Sequence, residues 1–379
     1  MSRNRQTKKT KTIKGRRGVT DSVSRSPRQV EHYWNFYKKG LYVSKPVSRL
    51  PGWLLPLLAT LLIIALVFWG IPQIISRIQN SQTEPTIPEE QVNDRLYGPQ
   101  TRVVIKPVAD LFDQPDLKAK RITQLLYQET VTRLDVDCPP GFIAVEFQET
   151  VTGYMLIDDL TEDCSAIEPA DYEYRAVVTA PTKRVMSHAE KGTLLIEVMM
   201  GTQLFIDYRG AGVSSVRLSD GTTGWISEDS VVILPSNAAI EMPFEPADAF
   251  CHSALIFLQT TALDYGMSIR GMSVEGIVHL AARINGLTVP RTVEGLLTAG
   301  VSLPLVKDPE TGHADISQLK RGDLIFFAEQ AEQQPRVGIL IQTNQVLYTG
   351  SGQTSIRLID LEREDQLKLT IKGARRIFP

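Results

Sequence analysis

The chain has 379 residues, 42% of them hydrophobic and 22% charged, which is enough apolar sequence for more than one buried core and excludes a disordered or collagenous protein. Three cysteines exclude a disulfide-dense scaffold. The formal net charge of −2 hides a division: residues 1–50 carry 14 Lys+Arg against 2 Asp+Glu, and the other 329 carry 27 basic and 41 acidic residues. So strong an asymmetry predicts two environments for one chain.

The stretch between the two parts gives the reason. Residues 50–76 hold no charge, and the apolar run through Ile63-Ile64-Ala65-Leu66-Val67-Phe68 has Trp53 and Trp69 near its ends. Roughly 20 residues rising about 1.5 Å each cross a bilayer core of about 30 Å, and indole rings favour the headgroup zone. A single transmembrane helix is predicted at 51–75. Its length and the 50 residues before it distinguish it from a cleaved signal peptide. Positive charge stays on the cytoplasmic side, so the basic tail at 1–50 is expected inside, without fixed structure, and the rest outside. The tail's partner is then the lipid bilayer; nucleic acid is not expected.

A polar linker follows at 76–101. Residues 102–165 and 172–235 each alternate short apolar runs with turn residues, which predicts two small all-β barrels. The step Gln124-Leu125-Leu126-Tyr127 followed by Glu129, with the pairs Gly153-Tyr154 and Gly224-Trp225, resembles bacterial SH3-type domains. In that family such a pair precedes a last strand, with the glycine permitting a tight turn and the aromatic ring covering the barrel end. Cys138 and Cys164 have two readings in an oxidising compartment: a disulfide closing the 25 residues between them, worth about 3 kcal/mol, or two free thiols.

Residues 245–379 change character. Apolar positions at helical spacing predict helices over 249–261 and 273–284, followed by strand-like runs at 323–327, 337–341, 345–348 and 356–359, an α+β domain. Four segments resemble the NlpC/P60 peptidases of the papain-like class, which cut cell-wall peptides: Glu275-Gly276-Ile277-Val278, Leu287-Thr288-Val289-Pro290-Arg291-Thr292, Leu319 to Phe327 around Gly322-Asp323-Leu324, and Val337-Gly338-Ile339-Leu340-Ile341. The resemblance implies a thiolate at a helix N-terminus, a histidine base and a polar third residue. Those positions fall on Val274, on Arg336 and on or near Tyr348. Valine has no nucleophilic atom, and arginine stays protonated.

The expectation is therefore no catalytic residue, no metal, no cofactor and no enzyme activity. Val274, Arg336 and Tyr348 would line a vestigial cleft on a membrane-anchored extracytoplasmic protein that binds or scaffolds cell-wall peptide, glycan or envelope proteins. The alternative is a cell-wall peptide hydrolase with a relocated nucleophile, Ser273 or Cys251. His279 is five or six residues from 273 and 274, which turns it away from both, toward a packed role.

Overall fold

The alternating runs of residues 101–161 form seven antiparallel strands: β1 (Thr101–Val104), β2 (Val108–Phe112), β3 (Arg121–Leu126), β4 (Thr130–Arg133), β5 (Phe142–Phe147), β6 (Val151–Leu156) and β7 (Leu160–Thr161). Their order in the sheet is β3-β2-β6-β5-β4-β1-β7. Inward positions such as Leu111, Leu125, Val145 and Met155 are fully buried and make the core of this unit. The computed structural model describes residues 60, 96–148, 151–328 and 335–379. Apart from Thr60, the tail, the anchor and the linker as far as residue 95 lie outside the described residues. Among those described, no helix is long and apolar enough to cross a membrane. The chain divides into two units, Met1–Ile87 and Pro88–Pro379, and every strand and helix after residue 95 belongs to the second.

The next seven strands are β8 (Tyr174–Val178), β9 (Thr182–Met186), β10 (Leu194–Met199), β11 (Gln203–Arg209), β12 (Val213–Arg217), β13 (Thr223–Ser227) and β14 (Val231–Pro235). Their order, β10-β9-β13-β12-β11-β8-β14, is the first order shifted by seven strands, so the two β units share one topology. The Gly-aromatic pairs do not make the expected turns: Gly153 lies inside β6 and Gly224 inside β13. What the glycine supplies is room. A Cβ at Gly153 would stand 2.6 Å from the Phe112 carbonyl oxygen, closer than two strands allow.

The α+β domain opens with helix α1 (Pro246–Leu255), shorter than the predicted 249–261. Its continuation is broken at Gln259, whose φ of 67° takes the chain out of helical geometry. A small hairpin of β15 (Met267–Ser268) and β16 (Gly271–Met272) leads into helix α2 (Val274–Ile284) and the short α3 (Val293–Leu296). Then come β17 (Val301–Leu303), β18 (Leu324–Phe327), β19 (Arg336–Gln342), β20 (Gln345–Tyr348), β21 (Arg357–Asp360) and β22 (Ile371–Arg376). They form an antiparallel sheet of order β17-β22-β18-β19-β20-β21.

Strand alternation divides this sheet between two cores. Leu324, Phe326, Val337, Ile339 and Leu347 face α1 and α2, in the same cluster as Phe250, Ile277 and Leu280. Ile325, Phe327, Leu340, Val346 and Tyr348 face the other way, onto Leu361 and Ile371. The helix-side core continues beyond the domain, taking in Leu126 from the first β unit and Val177, Met199 and Met200 from the second. Burying a Leu or Met side chain stabilises by about 1.5–3 kcal/mol, so this shared core helps fix the β units against the helices.

Candidate functional site

Ser273 is the N-cap of α2: its side chain accepts from the Gly276 N–H at 3.1 Å and lies 3.3 Å from the Gly266 carbonyl, which its hydroxyl can donate to. Val274 follows as the first helical residue and is buried, where its branched side chain packs into the helix-side core. The recess touching it holds about 30 Å³, the room of about one water molecule. A wider groove of about 400 Å³ runs beside it, framed by Glu275, Asp264, Tyr265 and Arg336, with Lys120 of the first β unit on its rim.

Arg336, at the start of β19, is a third exposed and pairs with Asp264 at 3.6 Å. Glu275 is partly buried between them. Burial pushes its carboxyl above the usual range and the Asp264 charge adds to this, while Ser273 and Arg336 oppose the shift. Lys120 stands over the Tyr265 ring at 5.1 Å, and the Tyr265 oxygen raises the Lys120 ammonium above its usual range. The groove therefore offers cations and carboxyls within one short peptide's reach, at the end of a helix whose free N–H groups favour negative charge.

Both β units hold the loop that makes one wall of the groove. The Gln124 side chain accepts from the Met267 N–H at 2.9 Å, Arg121 donates to the Asp264 carbonyl at 3.2 Å, and Arg270 meets Glu197 at 3.1 Å. Farther along α2, Glu129 of the first unit pairs with Arg283 at 2.5 Å and with Arg291. Arg291 is 1% exposed, donates to the Gln124 carbonyl at 2.7 Å and lies over the Phe147 ring at 4.5 Å. Burial opposes the charged form of Glu129, yet Arg291, Arg283 and the Leu126 N–H together take its carboxyl down to about 2.

Of the three positions expected to line the cleft, the structure brings two together. Val274 and Arg336 flank the recess, but Tyr348 does not: it points to the opposite core, with its ring 4.7 Å from that of Phe327. The next residue, Thr349, lines the recess instead, because neighbours along an extended chain face opposite sides. Cys251 is buried beneath the sheet, its Sγ 3.7 Å from the Leu340 carbonyl, and burial pushes its thiol up to about 11, so it is no nucleophile. Cys138 and Cys164 are both half-buried and free in this structure. His279 is packed, its Nδ1 2.8 Å from the Val289 carbonyl, and burial first, then Arg291 and Arg283, take it down to about 3. Among the described residues no group of three or more His, Cys, Asp or Glu is disposed to hold a metal ion.

Sequence reasoning missed Asp264, Lys120 and the chemical part of Glu275. Lys120 comes from a loop that the packing of the first β unit brings to the helix head, and Asp264 from a turn folded back on the helix start by the Leu263 N–H to Met272 carbonyl and Ser273 N–H to Gly266 carbonyl bonds. Glu129 and Arg291 were both quoted as motif residues, but their pairing spans 162 positions and has no local signal.

No family model matches the chain. It is 23% identical over 234 residues to a gamma-D-glutamyl-L-lysine dipeptidyl-peptidase of Bacillus cereus, an alignment spanning 61% of this chain and 66% of that protein, just under two thirds of its length. A solved NlpC/P60 family protein of Bacillus cereus superposes with a TM-score of 0.61 at 22% identity, covering 74% of this chain and all of that one. An NlpC/P60 endopeptidase of Photobacterium damselae subsp. piscicida is a more distant likeness, at a TM-score of 0.48 and 10% identity, covering 73% of this chain and 70% of that one. The chain has the NlpC/P60-type fold with β-rich sheets ahead of it. The expectation of a non-enzyme, drawn from Val274, Arg336 and Tyr348, is contradicted by the curated relative, which is named as a dipeptidyl-peptidase.

Proposed function

We propose that this protein acts on peptides of the bacterial cell wall, binding them in the groove at the head of α2. The observation that carries the reading is the set of Arg336, Asp264 and Glu275 around that groove in an NlpC/P60-type fold. A wall peptide bears carboxylates, amide groups and an amine. Arg336 suits a carboxylate, and Glu275 and Asp264 suit N–H donors. The curated relative's name supports γ-D-glutamyl-L-lysine peptides as the first substrates to try.

Cleavage has one nucleophile to try at the helix head, Ser273, with the Glu275 carboxyl beside it to accept the hydroxyl proton. In this reading the two β units are SH3-type braces that hold the groove wall through Gln124, Arg121 and Glu197. The apolar run at 51–75 anchors the chain in the cell membrane with its domains outside, supported by the basic excess of residues 1–50.

The test uses the purified full-length protein in detergent with γ-D-glutamyl-L-lysine wall peptides, following binding by calorimetry and products by mass spectrometry. Saturable binding that weakens about tenfold or more in Arg336→Ala is expected, the scale of one charge-assisted hydrogen bond. A product that disappears in Ser273→Ala places cleavage at the helix head. Absence of both binding and product, or binding indifferent to Arg336→Ala, overturns the reading.

A further inference from the structure

Lys120 reaches the rim of the groove from the first β unit. It stands immediately before β3, and its carbonyl accepts from the Asp113 N–H at 3.0 Å, which fixes its backbone in the β2–β3 hairpin. The next residue, Arg121, pairs with Asp110 at 2.7 Å and donates to the Asp264 carbonyl at 3.2 Å, so the hairpin is fastened to the loop that carries Tyr265. Tyr265 has a φ of 62°, left-handed geometry that is costly for a bulky residue, and the Gly266 N–H closes the turn around it on the Leu263 carbonyl at 2.9 Å. The turn brings the tyrosine ring to the groove, and the exposed Lys120 ammonium lies 5.1 Å from its centre.

The cations of this region differ in how far they are neutralised. Arg336 has Asp264 at 3.6 Å and Arg121 has Asp110, whereas Lys120 makes no ion pair among the described residues. Glu294 and Asp113 are near enough for their charges to act on the ammonium, and the Tyr265 oxygen takes one of its N–H donors. An ammonium carries three donors, which leaves some for a ligand. Arg336 also borders the small recess beside Ser273 and Val274, and Lys120 does not. The two cations therefore mark two stations in the groove, Arg336 at the helix head and Lys120 away from it.

A γ-D-glutamyl-L-lysine peptide has a carboxylate for each station. Its lysyl carboxylate sits next to the nitrogen of the γ-amide, and its glutamyl α-carboxylate is separated from the amide carbonyl by the length of the glutamyl side chain. With the amide at Ser273, the near carboxylate falls to Arg336 and the remote one toward Lys120. Resting on the peptide-groove reading above, we propose that Lys120 is a specificity-determining residue that takes the glutamyl α-carboxylate, so that the first β unit selects peptides in which this group is free over those in which it is amidated. A carboxylate meets the ammonium as an ion pair, whereas a neutral amide offers only a carbonyl dipole.

The experiment measures binding by calorimetry on the full-length protein in detergent, with γ-D-glutamyl-L-lysine and with its glutamyl α-amide. Wild type is expected to bind the free acid about tenfold more tightly than the amide. Lys120→Met, a change at an exposed position, should bring the two affinities within about twofold of each other, and Lys120→Arg should keep the preference. Because the readout is a ratio, a general loosening of the groove does not imitate it. Equal binding of both peptides by wild type, or a preference kept in folded Lys120→Met, would overturn the role of Lys120 while leaving the groove as the peptide site. Binding of neither peptide by wild type would overturn the groove and the role of Lys120 together.

Discussion

Replacing Glu129 with glutamine tests the way the first β unit is fastened to the α+β domain. The carboxylate accepts from Arg283, from Arg291 and from the Leu126 N–H at 2.9 Å, and Arg291 has no route to water. Glu129→Gln leaves two guanidinium groups without a counter-charge, and breaking a buried pair by removing one partner costs about 3–5 kcal/mol. The lowered pKa of the carboxyl expresses the same interaction on a similar scale. The carboxyl falls from an ordinary 4.5 to about 2, a shift that corresponds to about 3 kcal/mol of stability. Because the folded pKa is the lower one, that stability is fully present above about pH 4.5 and is lost as pH falls toward 2. Urea unfolding of wild type and Glu129→Gln across pH 2.5–8, each pH being a chosen setting at about those limits, reads both. The gap should be about 3–5 kcal/mol at neutral pH and should narrow below about pH 4.5. A gap under about 1 kcal/mol at neutral pH, or one that ignores pH, refutes the account of this joint.

Three further outcomes follow from the packing. Tyr127 accepts from the Ser219 N–H at 2.9 Å and bonds its hydroxyl at 3.0 Å, tying the first β unit to the second; Tyr127→Phe should cost about 1–2 kcal/mol in thermal unfolding, and no loss would mean the bond is not made. Gly153→Ala forces a Cβ against the Phe112 carbonyl and should destabilise by about 1–3 kcal/mol in urea, where a neutral result would show that the strands can part. A thiol reagent should label Cys138 and Cys164 in the native protein and Cys251 only after unfolding; no native labelling of the first two would reveal a disulfide.

Much of the architecture was legible because it is local. Alternation with turn residues marked both β units, and the 3.6-residue spacing of Ile277, Leu280, Ala281 and Ile284 marked α2 to within one residue. The end of α1 was not, since apolar residues continue past Leu255 and only the backbone at Gln259 turns the chain. For the site, the segments placed Val274 and Arg336 together, and strand alternation then moved the third position from Tyr348 to Thr349. The rest came from distant sequence. Lys120 and the Glu129 pairs reach α2 only because the first β unit closes on the helix, and no spacing rule reports contacts of that range. The inference from Val274 to a non-enzyme went too far in another way: it judged activity from three positions, where the curated relative carries a peptidase name.

The most direct measurement is a crystal structure of the full-length protein with a γ-D-glutamyl-L-lysine peptide. Peptide density in the groove, with a carboxylate on Arg336 and an N–H on Glu275 or Asp264, is the expected result. Density bound only elsewhere, or an empty groove at saturating peptide, would contradict it.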